Sequence, residues 1–382
     1  RSLYSASTLG IDGFLATKEK IKSQFVNTAD TFKQKMNEFL EKSSTNMIFT
    51  EDLKNMIHLT ENSTDKDLII RMMEKFNSQN KELRFGNYIF GPVVMRMFYY
   101  LKDEENAFNC FKNEKLDGFF DQLTSYQILC DMLYEKQRYR DVLAVYDLIK
   151  TRQVQGGQHP KHIVTLVFAA CYKDNSQESF DYAMSLWKEL NTVGHSPIRK
   201  ASAFAAATAL NHNSPHIALE ILGTIRQQNY VTVRNLKIVA LCELDRLEDT
   251  IPIFRTVLET NDPTAKQKHT FCRNVIQKIN ESNERKQSPA DLERILKYLE
   301  DNGHITDENI DNILCQEITI TKLDQTGFNK DRRFLAASYN NNADGGYDNG
   351  RSQRFPQQYQ RQRTAGGGGF QRSARPGLSD LY

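Results

Sequence analysis

Six cysteines and two pairs of histidines are the side chains in this sequence that could bind a metal or form a disulfide. No two cysteines stand in the Cys-x-x-Cys spacing of a zinc site or a redox pair. Neither His159 with His162 nor His212 with His216 has a third ligand at a suitable spacing. We therefore expect no metal site and no cofactor. We interpret the cysteines as small buried residues in a reducing compartment, at positions 110, 130, 171, 242, 272 and 315.

Motifs of catalysis are also missing from the sequence. It contains no phosphate-binding loop, no glycine motif for dinucleotides and no His-Glu-x-x-His motif. No run of apolar residues approaches the length of about 18 that a transmembrane helix requires. The sequence thus predicts a protein that is not an enzyme, takes no small-molecule substrate and does not span a membrane.

The charge of the chain is small and unevenly distributed. The formal net charge of the 382 residues is +2 at pH 7. Residues 325–382 carry nine Lys and Arg against four Asp, a net charge of +5, so the other residues together carry −3. RNA binding by the main body would therefore depend on a local basic surface and not on the total charge.

The two ends of the chain differ in composition from the middle. Residues 1–10, RSLYSASTLG, contain arginine and serine and precede the first acidic residue, Asp12. This composition fits either the remnant of a mitochondrial transit peptide or a disordered N-terminus. Residues 325–382 are rich in Gly, Asn, Gln and Arg without an apolar period, so we expect a disordered tail there.

A helical repeat of about 35 residues dominates the middle of the chain. Residues 124–150, TSYQILCDMLYEKQRYRDVLAVYDLIK, carry two apolar stripes at helical spacing on either side of a polar turn. In the second helix a small or medium-sized residue precedes a bulky one by four positions, and the bulky anchors lie 35, 35, 41, 35 and 32 residues apart. The pairs are Met72–Phe76, Ala107–Phe111, Val142–Tyr146, Ala183–Trp187, Ala218–Leu222 and Thr250–Phe254.

Repeated hairpins of this kind predict an all-α solenoid. Each hairpin exposes apolar surface on both sides, and stacking buries that surface in a superhelix with one concave face. We expect a helical N-terminal cap at residues 11–45, helical repeats at 46–262 and a C-terminal helical cap at 263–324. The repeats should form at least five antiparallel helix pairs without a β-sheet, and the anchors should be buried between neighbouring hairpins.

The repeat unit resembles the pentatricopeptide pattern along the whole of residues 124–150 and again along residues 234–254. Gly194 and Pro197 stand where that family closes a repeat with Gly-x-x-Pro. More narrowly, residues 85–213, with stretches such as FGNYIFGPVVMRMFYYL and RKASAFAAATALNHN, resemble the mitochondrial pentatricopeptide repeat domain-containing protein 2 family. The resemblance implies a right-handed α-solenoid in the mitochondrial matrix that takes part in RNA maturation and supports the respiratory chain.

The resemblance also implies where RNA bases would be contacted. In the family, a residue near the start of each first helix faces a base. This position falls on Gln127, Thr165, Ala203 and Asn235, of which Asn235 has the best-defined register. Asn and Gln amides can both donate to and accept from a base edge, Thr can do either, and Ala can do neither. The family's second specificity position falls on the apolar Ile198, which makes a readable base code doubtful. For Gln127 and Asn235, a solvated amide at a helix start is the alternative.

Basic residues beside these positions could hold phosphates, although each could instead be a solvated surface charge. They are Arg138, Arg140, Lys161, Arg199, Lys200 and Arg234. In the tail, arginines alternate with aromatic residues, which suits stacking on single-stranded RNA, with a solubilising tail as the alternative. The tail candidates are Arg361, Arg363, Tyr359 and Phe370.

Two functions remain open from the sequence. The first is a non-catalytic factor that binds single-stranded mitochondrial RNA, and possible further partners are RNA-processing factors. The second is a protein-binding scaffold, for example on the mitochondrial ribosome, which the slightly acidic main body favours. The charge of the concave face would discriminate between them.

Overall fold

The structure is a computed structural model in which residues 2–41, 46–83, 88–259, 270–285 and 290–318 are described. For residues 80–83, 156, 283–285 and 290 the description covers the backbone alone. All of these residues belong to one compact unit, residues 1–332. Among the described helices, none is both long enough and apolar enough to cross a membrane.

Three helices precede the repeats: α1 (Ala6–Leu9), α2 (Ile11–Gln24) and α3 (Ala29–Phe39). Ser5 caps α1, and Gly10 ends it with a φ of +73°, a left-handed conformation that glycine adopts without strain. The described part of residues 1–10 is thus ordered, with Leu3 and Tyr4 fully buried, which contradicts the alternative of a disordered N-terminus. That these residues are a transit-peptide remnant stays a prediction.

Six helical hairpins follow within the described residues, which confirms the predicted all-α repeat fold. The first helices are α4 (Thr50–Leu59), α6 (Gly91–Leu101), α8 (Leu123–Glu135), α10 (Lys161–Asp174), α12 (Arg199–Asn211) and α14 (Val231–Glu243). Their partners are α5 (Ser63–Leu83), α7 (Glu104–Lys112), α9 (Tyr139–Arg152), α11 (Gln177–Thr192), α13 (Pro215–Gly223) and α15 (Ile251–Glu259). Successive first helices pack on one another from α8 to α14, so they form one continuous layer.

The anchors on the second helices occupy the interior. Phe111 is 2% exposed, Tyr146 is fully buried and Trp187 is 6% exposed, as predicted. The small residues four positions before them, such as Ala107, Val142 and Ala183, are also fully buried. In each of these hairpins the small residue therefore lets the two helices approach closely, and the bulky residue fills the space beside it.

The turn inside each hairpin repeats a conformation that the apolar pattern does not show. A residue with a left-handed backbone follows the first helix in five hairpins: Lys102, Gln137, Asn175, Asn213 and Asp245. In the turn after α8, the N–H of Arg138 donates to the carbonyl of Leu133 at 2.9 Å, which closes the helix end. The second helix then begins at once, so the two helices of a pair run in opposite directions.

A further hairpin follows the repeats, formed by α16 (Arg273–Arg285) and α17 (Ala290–Asp301). Two short strands frame it, β1 (Phe271–Cys272) and β2 (Ile305–Thr306), which pair in parallel with Phe271 opposite Ile305. The expectation of no β-sheet holds for the described part of residues 46–262, and this pair lies beyond it. The last described helix is α18 (Ile310–Leu314), and the predicted tail at 325–382 lies outside the described residues.

Candidate nucleic-acid interface

The four positions predicted to face RNA bases are equivalent in the structure. Gln127, Thr165, Ala203 and Asn235 are each the fifth residue of their helix, in α8, α10, α12 and α14 respectively. We call the face of these four helices that carries them the first-helix face. Thr165, Ala203 and Asn235 are fully buried, and Gln127 is half-buried. Three of the four side chains are therefore inaccessible to a base in this conformation.

The burial and the hydrogen bonds of Asn235 contradict its predicted role as a base reader. Its Nδ2 donates to the carbonyl of Val231 at 2.7 Å, and its Oδ1 accepts the backbone N–H of Cys272 at 2.9 Å. Both halves of the amide are thus engaged: Nδ2 bonds within α14, and Oδ1 holds strand β1 against this helix. The physical reason is that buried backbone N–H groups need a partner, and this amide supplies one for Cys272.

Arg234 is likewise structural and not an exposed phosphate ligand. It is 4% exposed, and its guanidinium donates to the carbonyls of Asn229 at 2.6 Å and Thr270 at 3.4 Å. The guanidinium also lies 5.4 Å from the centre of the Phe271 ring. Burial lowers the pKa of Arg234 to about 10. The side chain therefore ties α14 to the segment that begins at Thr270.

The other two polar positions differ from each other. Thr165 donates its hydroxyl to the carbonyl of Lys161 at 2.9 Å, inside its own helix, and is buried. The amide of Gln127 has no hydrogen-bond partner among the described residues, so Gln127 remains the one polar position of the four that could meet a ligand without a rearrangement. Ile198, expected at the second specificity position, is the residue that precedes α12.

The predicted phosphate ligands divide into paired and available groups. Arg138 pairs with Asp141 at 2.6 Å, and Arg140 pairs with Glu178 at 3.0 Å across neighbouring hairpins. Lys200 donates to the carbonyl of Gln316 at 2.8 Å, and burial lowers its pKa to about 8. These three residues are engaged within the chain, although the pair of Arg140 is largely exposed and contributes little to stability.

Lys161 and Arg199 remain accessible, and each is the first residue of its helix. Lys161 is exposed and has no ion-pair partner among the described residues. The guanidinium carbon of Arg199 lies 3.0 Å from the centre of the Tyr230 ring, and Tyr230, which directly precedes α14, is 39% exposed. We call Lys161, Arg199 and Tyr230 the helix-start edge. Sequence reasoning missed Tyr230, because its pairing with Arg199 is formed only when α12 and α14 pack together.

Residues 2–10, the N-terminal segment, lie across the first-helix face. The backbone N–H groups of Leu3 and Tyr4 both donate to Oδ1 of Asp131 at 3.0 Å, and Asp131 is four residues after Gln127 on α8. The hydroxyl of Tyr4 forms a hydrogen bond with Nδ1 of His162 on α10 at 3.1 Å. Asp131 was not predicted, although a single acid inside the apolar stretch YQILCDML was a signal for it.

Residues 309–318, the C-terminal segment, approach the same face from the other end of the array. Both carboxylate oxygens of Asp311 accept from Nζ of Lys173 on α10, at 2.9 and 3.0 Å. Helix α18 also packs on α12 and α14, and Leu314 is 1% exposed. The chain thus covers part of this face with its own two ends, whereas Asn235 is covered by strand β1.

The histidines and cysteines form no cluster with metal-binding geometry in the part of the chain that the structure describes. Nδ1 of His159 lies 2.6 Å from the hydroxyl of the anchor Tyr146, and His162 contacts Tyr4. Five of the six cysteines are buried and Cys315 is half-buried, and all six are free thiols. The tail candidates Arg361, Arg363, Tyr359 and Phe370 lie outside the described residues.

Replacing Asn235 with alanine should lower the free energy of unfolding by about 1–3 kcal/mol, because the buried N–H of Cys272 loses its acceptor. Thermal melts would measure this loss. Titration of the variant with two single-stranded RNAs of different sequence should show no change in preference between them. Gln127→Ala is the matched control, and we expect it to leave the unfolding free energy almost unchanged. A loss of sequence preference in a stable Asn235→Ala protein would restore Asn235 as a base reader.

Comparison with known proteins identifies the family. No protein-family model matches the chain. The chain is 30% identical over 318 residues to "Pentatricopeptide repeat-containing protein 2, mitochondrial" of Homo sapiens, which covers 82% of this chain and 80% of the relative. The proteins of the same name from Mus musculus and Danio rerio are 31% and 28% identical, over 82% of this chain and 82% and 81% of the relatives. The hairpins, their buried anchors and this similarity show that the chain belongs to the pentatricopeptide repeat-containing protein 2 family.

Proposed function

We propose that this protein is a non-catalytic RNA-binding protein of the mitochondrial matrix that acts in the maturation or stability of mitochondrial RNA. The observation that carries the proposal is the similarity to relatives whose name states both the repeat and the mitochondrion, over 82% of this chain. By occupying single-stranded RNA, such a protein decides which segments processing enzymes reach, and it thereby supports the respiratory chain.

The helix-start edge is the surface that we propose for the first contact with RNA. Lys161 and Arg199 stand at the starts of the neighbouring helices α10 and α12, where the positive ends of the helix dipoles add to their charge. Neither first turn contains an acidic residue, and neither helix has a side-chain cap on its first N–H groups. Tyr230 adds an exposed aromatic ring on which a base can stack. The edge thus combines phosphate and base contacts without requiring a base code.

Neutralising this edge should weaken RNA binding and reduce its dependence on salt. The combined variant Lys161→Gln, Arg199→Gln and Tyr230→Ala should bind an oligouridine of about 20 nucleotides roughly tenfold more weakly. The slope of log affinity against log salt should become shallower by about 1–2, since two phosphate contacts are lost. Fluorescence anisotropy at several salt concentrations would measure both quantities.

The control removes the same charge from another surface. Lys188 on α11 and Arg255 on α15 are exposed residues of second helices. Lys188→Gln with Arg255→Gln should leave the salt slope at the wild-type value. If both combined variants weaken binding equally, the edge has no special role and the attraction is general.

A protein-binding scaffold is the second candidate function, and one observation favours it. The first-helix face already holds polypeptide, since Asp131 accepts two backbone N–H groups and Lys200 donates to a backbone carbonyl. RNA–protein crosslinking in isolated mitochondria distinguishes the two functions. Crosslinked RNA supports the first, whereas co-sedimentation with mitochondrial ribosomes without any RNA crosslink to this chain supports the second. That the tail contributes arginine and aromatic contacts to RNA stays a prediction.

A further inference from the structure

The two terminal segments meet each other on the first-helix face. The backbone N–H of Ile318 donates to the carbonyl of Leu3 at 3.0 Å, and Tyr4 pairs with Ile318 as a single parallel bridge. We propose that the N-terminal and C-terminal segments form an intramolecular latch over this face, and that single-stranded RNA competes with the C-terminal segment for Lys173 and Lys200. The competition rests on the function proposed above, whereas the latch itself does not.

The segments are held down by polar contacts and by apolar side chains, several of which are only partly buried. Asp131 and Lys200 bind backbone groups of the two segments, and Lys173 binds Asp311 in an ion pair whose side chains are 30% and 40% exposed. When a segment opens, water takes the place of these polar contacts, so their loss changes the free energy only slightly. The fully or almost fully buried apolar side chains of the segments are few among the described residues: Leu3, Tyr4, Leu9 and Leu314. The segments should therefore open more readily than the hairpins, whose anchors are packed on all sides.

Opening the latch would release two cations on neighbouring helices. Lys173 near the end of α10 would lose both oxygens of Asp311, and Lys200 at the start of α12 would lose the carbonyl of Gln316. Burial lowers the pKa of Lys200 to about 8, and exposure to water would raise this pKa toward its ordinary value. The oxygens of Asp311 and Gln316 occupy the places that phosphate oxygens of RNA would take. A charged lysine binds phosphate oxygens in the same way, which explains the competition.

The experiment loosens the C-terminal segment in the full chain and measures opening and RNA binding separately. Asp311→Asn removes the charge that holds Lys173. Hydrogen exchange followed by mass spectrometry should show faster exchange at residues 309–318 and, through the bridge to Tyr4, at residues 3–5. Because apparent affinity rises with the open fraction, an oligouridine of about 20 nucleotides should bind about tenfold more tightly. Leu3→Ala loosens the N-terminal segment. It should also speed exchange at residues 3–5 and, through the bridge, at residues 309–318, and it should likewise tighten RNA binding.

Two controls separate the latch from a general charge effect. Glu308→Gln removes one negative charge beside the C-terminal segment, and the side chain of Glu308 makes no hydrogen bond or ion pair among the described residues. It should change neither exchange nor affinity. Adding Lys173→Gln and Lys200→Gln to Asp311→Asn should abolish the gain in affinity while residues 309–318 remain fast in exchange.

Each outcome decides one part of the proposal. Faster exchange with unchanged RNA affinity would overturn the competition for the two lysines and leave binding at the helix-start edge intact. Exchange that stays slow at residues 3–5 in Asp311→Asn, and at 309–318 in Leu3→Ala, would show that the segments are not coupled and would overturn the latch. An equal gain for Glu308→Gln would reduce the effect to net charge. If wild type and variants all fail to bind RNA, the proposed function fails and the competition with it, while the exchange rates still decide the latch.

Discussion

Tyr146→Ala should lower the free energy of unfolding by about 3–5 kcal/mol. Tyr146 is fully buried in α9, in the middle of the array, and its ring lies 6.3 Å from that of His159, which leads into the next hairpin. Its hydroxyl also lies 2.6 Å from Nδ1 of His159, in the loop before α10. Truncation leaves a cavity at the junction of two repeats and removes the hydrogen bond that fixes this loop.

Chemical denaturation of the variant measures the loss, and Tyr146→Phe divides it into two parts. The phenylalanine variant keeps the ring and loses only the hydrogen bond to His159, so it should be destabilised by about 0.5–1.5 kcal/mol. In a repeat protein a weakened junction can also separate the transition into two steps, since each hairpin contacts mainly its neighbours. Equal stability of Tyr146→Ala and wild type would mean that the anchor does not couple the repeats.

The anchors could be predicted from the sequence because they depend on local spacing. A second helix of fixed length places its small and bulky residues on one face, so the period of about 35 residues carries the whole repeat. The same reasoning assigned the fifth position of the first helices to a common face. The repeat pattern could not show which part of the chain packs on that face, because periodicity identifies equivalent residues and not the segments that contact them.

Contacts between distant parts of the chain decided the candidate site. Asn235 meets Cys272 across 37 positions, and Leu3 meets Asp131 across 128. A polar residue at a helix start that binds a base and one that binds a distant backbone N–H look the same in a single sequence. Asp131 carried a stronger signal, because an acid inside a largely apolar stretch of a helix needs either a ligand or an internal partner.

The helix-start edge and the first-helix face make different demands on RNA. The edge is open in the present conformation and requires only phosphates and one stacked base, which suits binding with little sequence preference. The first-helix face offers buried Thr165 and Asn235, of which Asn235 is committed to Cys272. Opening the terminal segments therefore adds cations to the binding surface and not a base code.

Asp131 should make the stability of the protein depend on pH in a direction opposite to that of an ordinary ion-paired carboxylate. Burial raises the pKa of Asp131 from 3.8 to about 7, and the N–H groups of Tyr4 and Leu3 offset only part of this effect. Its Oδ2 has no hydrogen-bond partner among the described residues. The folded protein thus binds the proton more tightly than the unfolded chain does. This contribution to stability is fully present below about pH 4 and is lost as the pH rises to about 7.

Asp131→Asn should remove this pH dependence. The amide oxygen can still accept the N–H groups of Leu3 and Tyr4, while the ionisable proton is gone. Each pKa unit corresponds to about 1.4 kcal/mol, so wild type should lose about 2.5 kcal/mol from this group between about pH 5 and about pH 8. The difference in unfolding free energy between variant and wild type should therefore shift by that amount in favour of the variant. Denaturation curves of both proteins at the two pH values measure it, and other titrating groups cancel in the difference. A constant difference would mean that Asp131 is ionised throughout, and that the segment over it admits water.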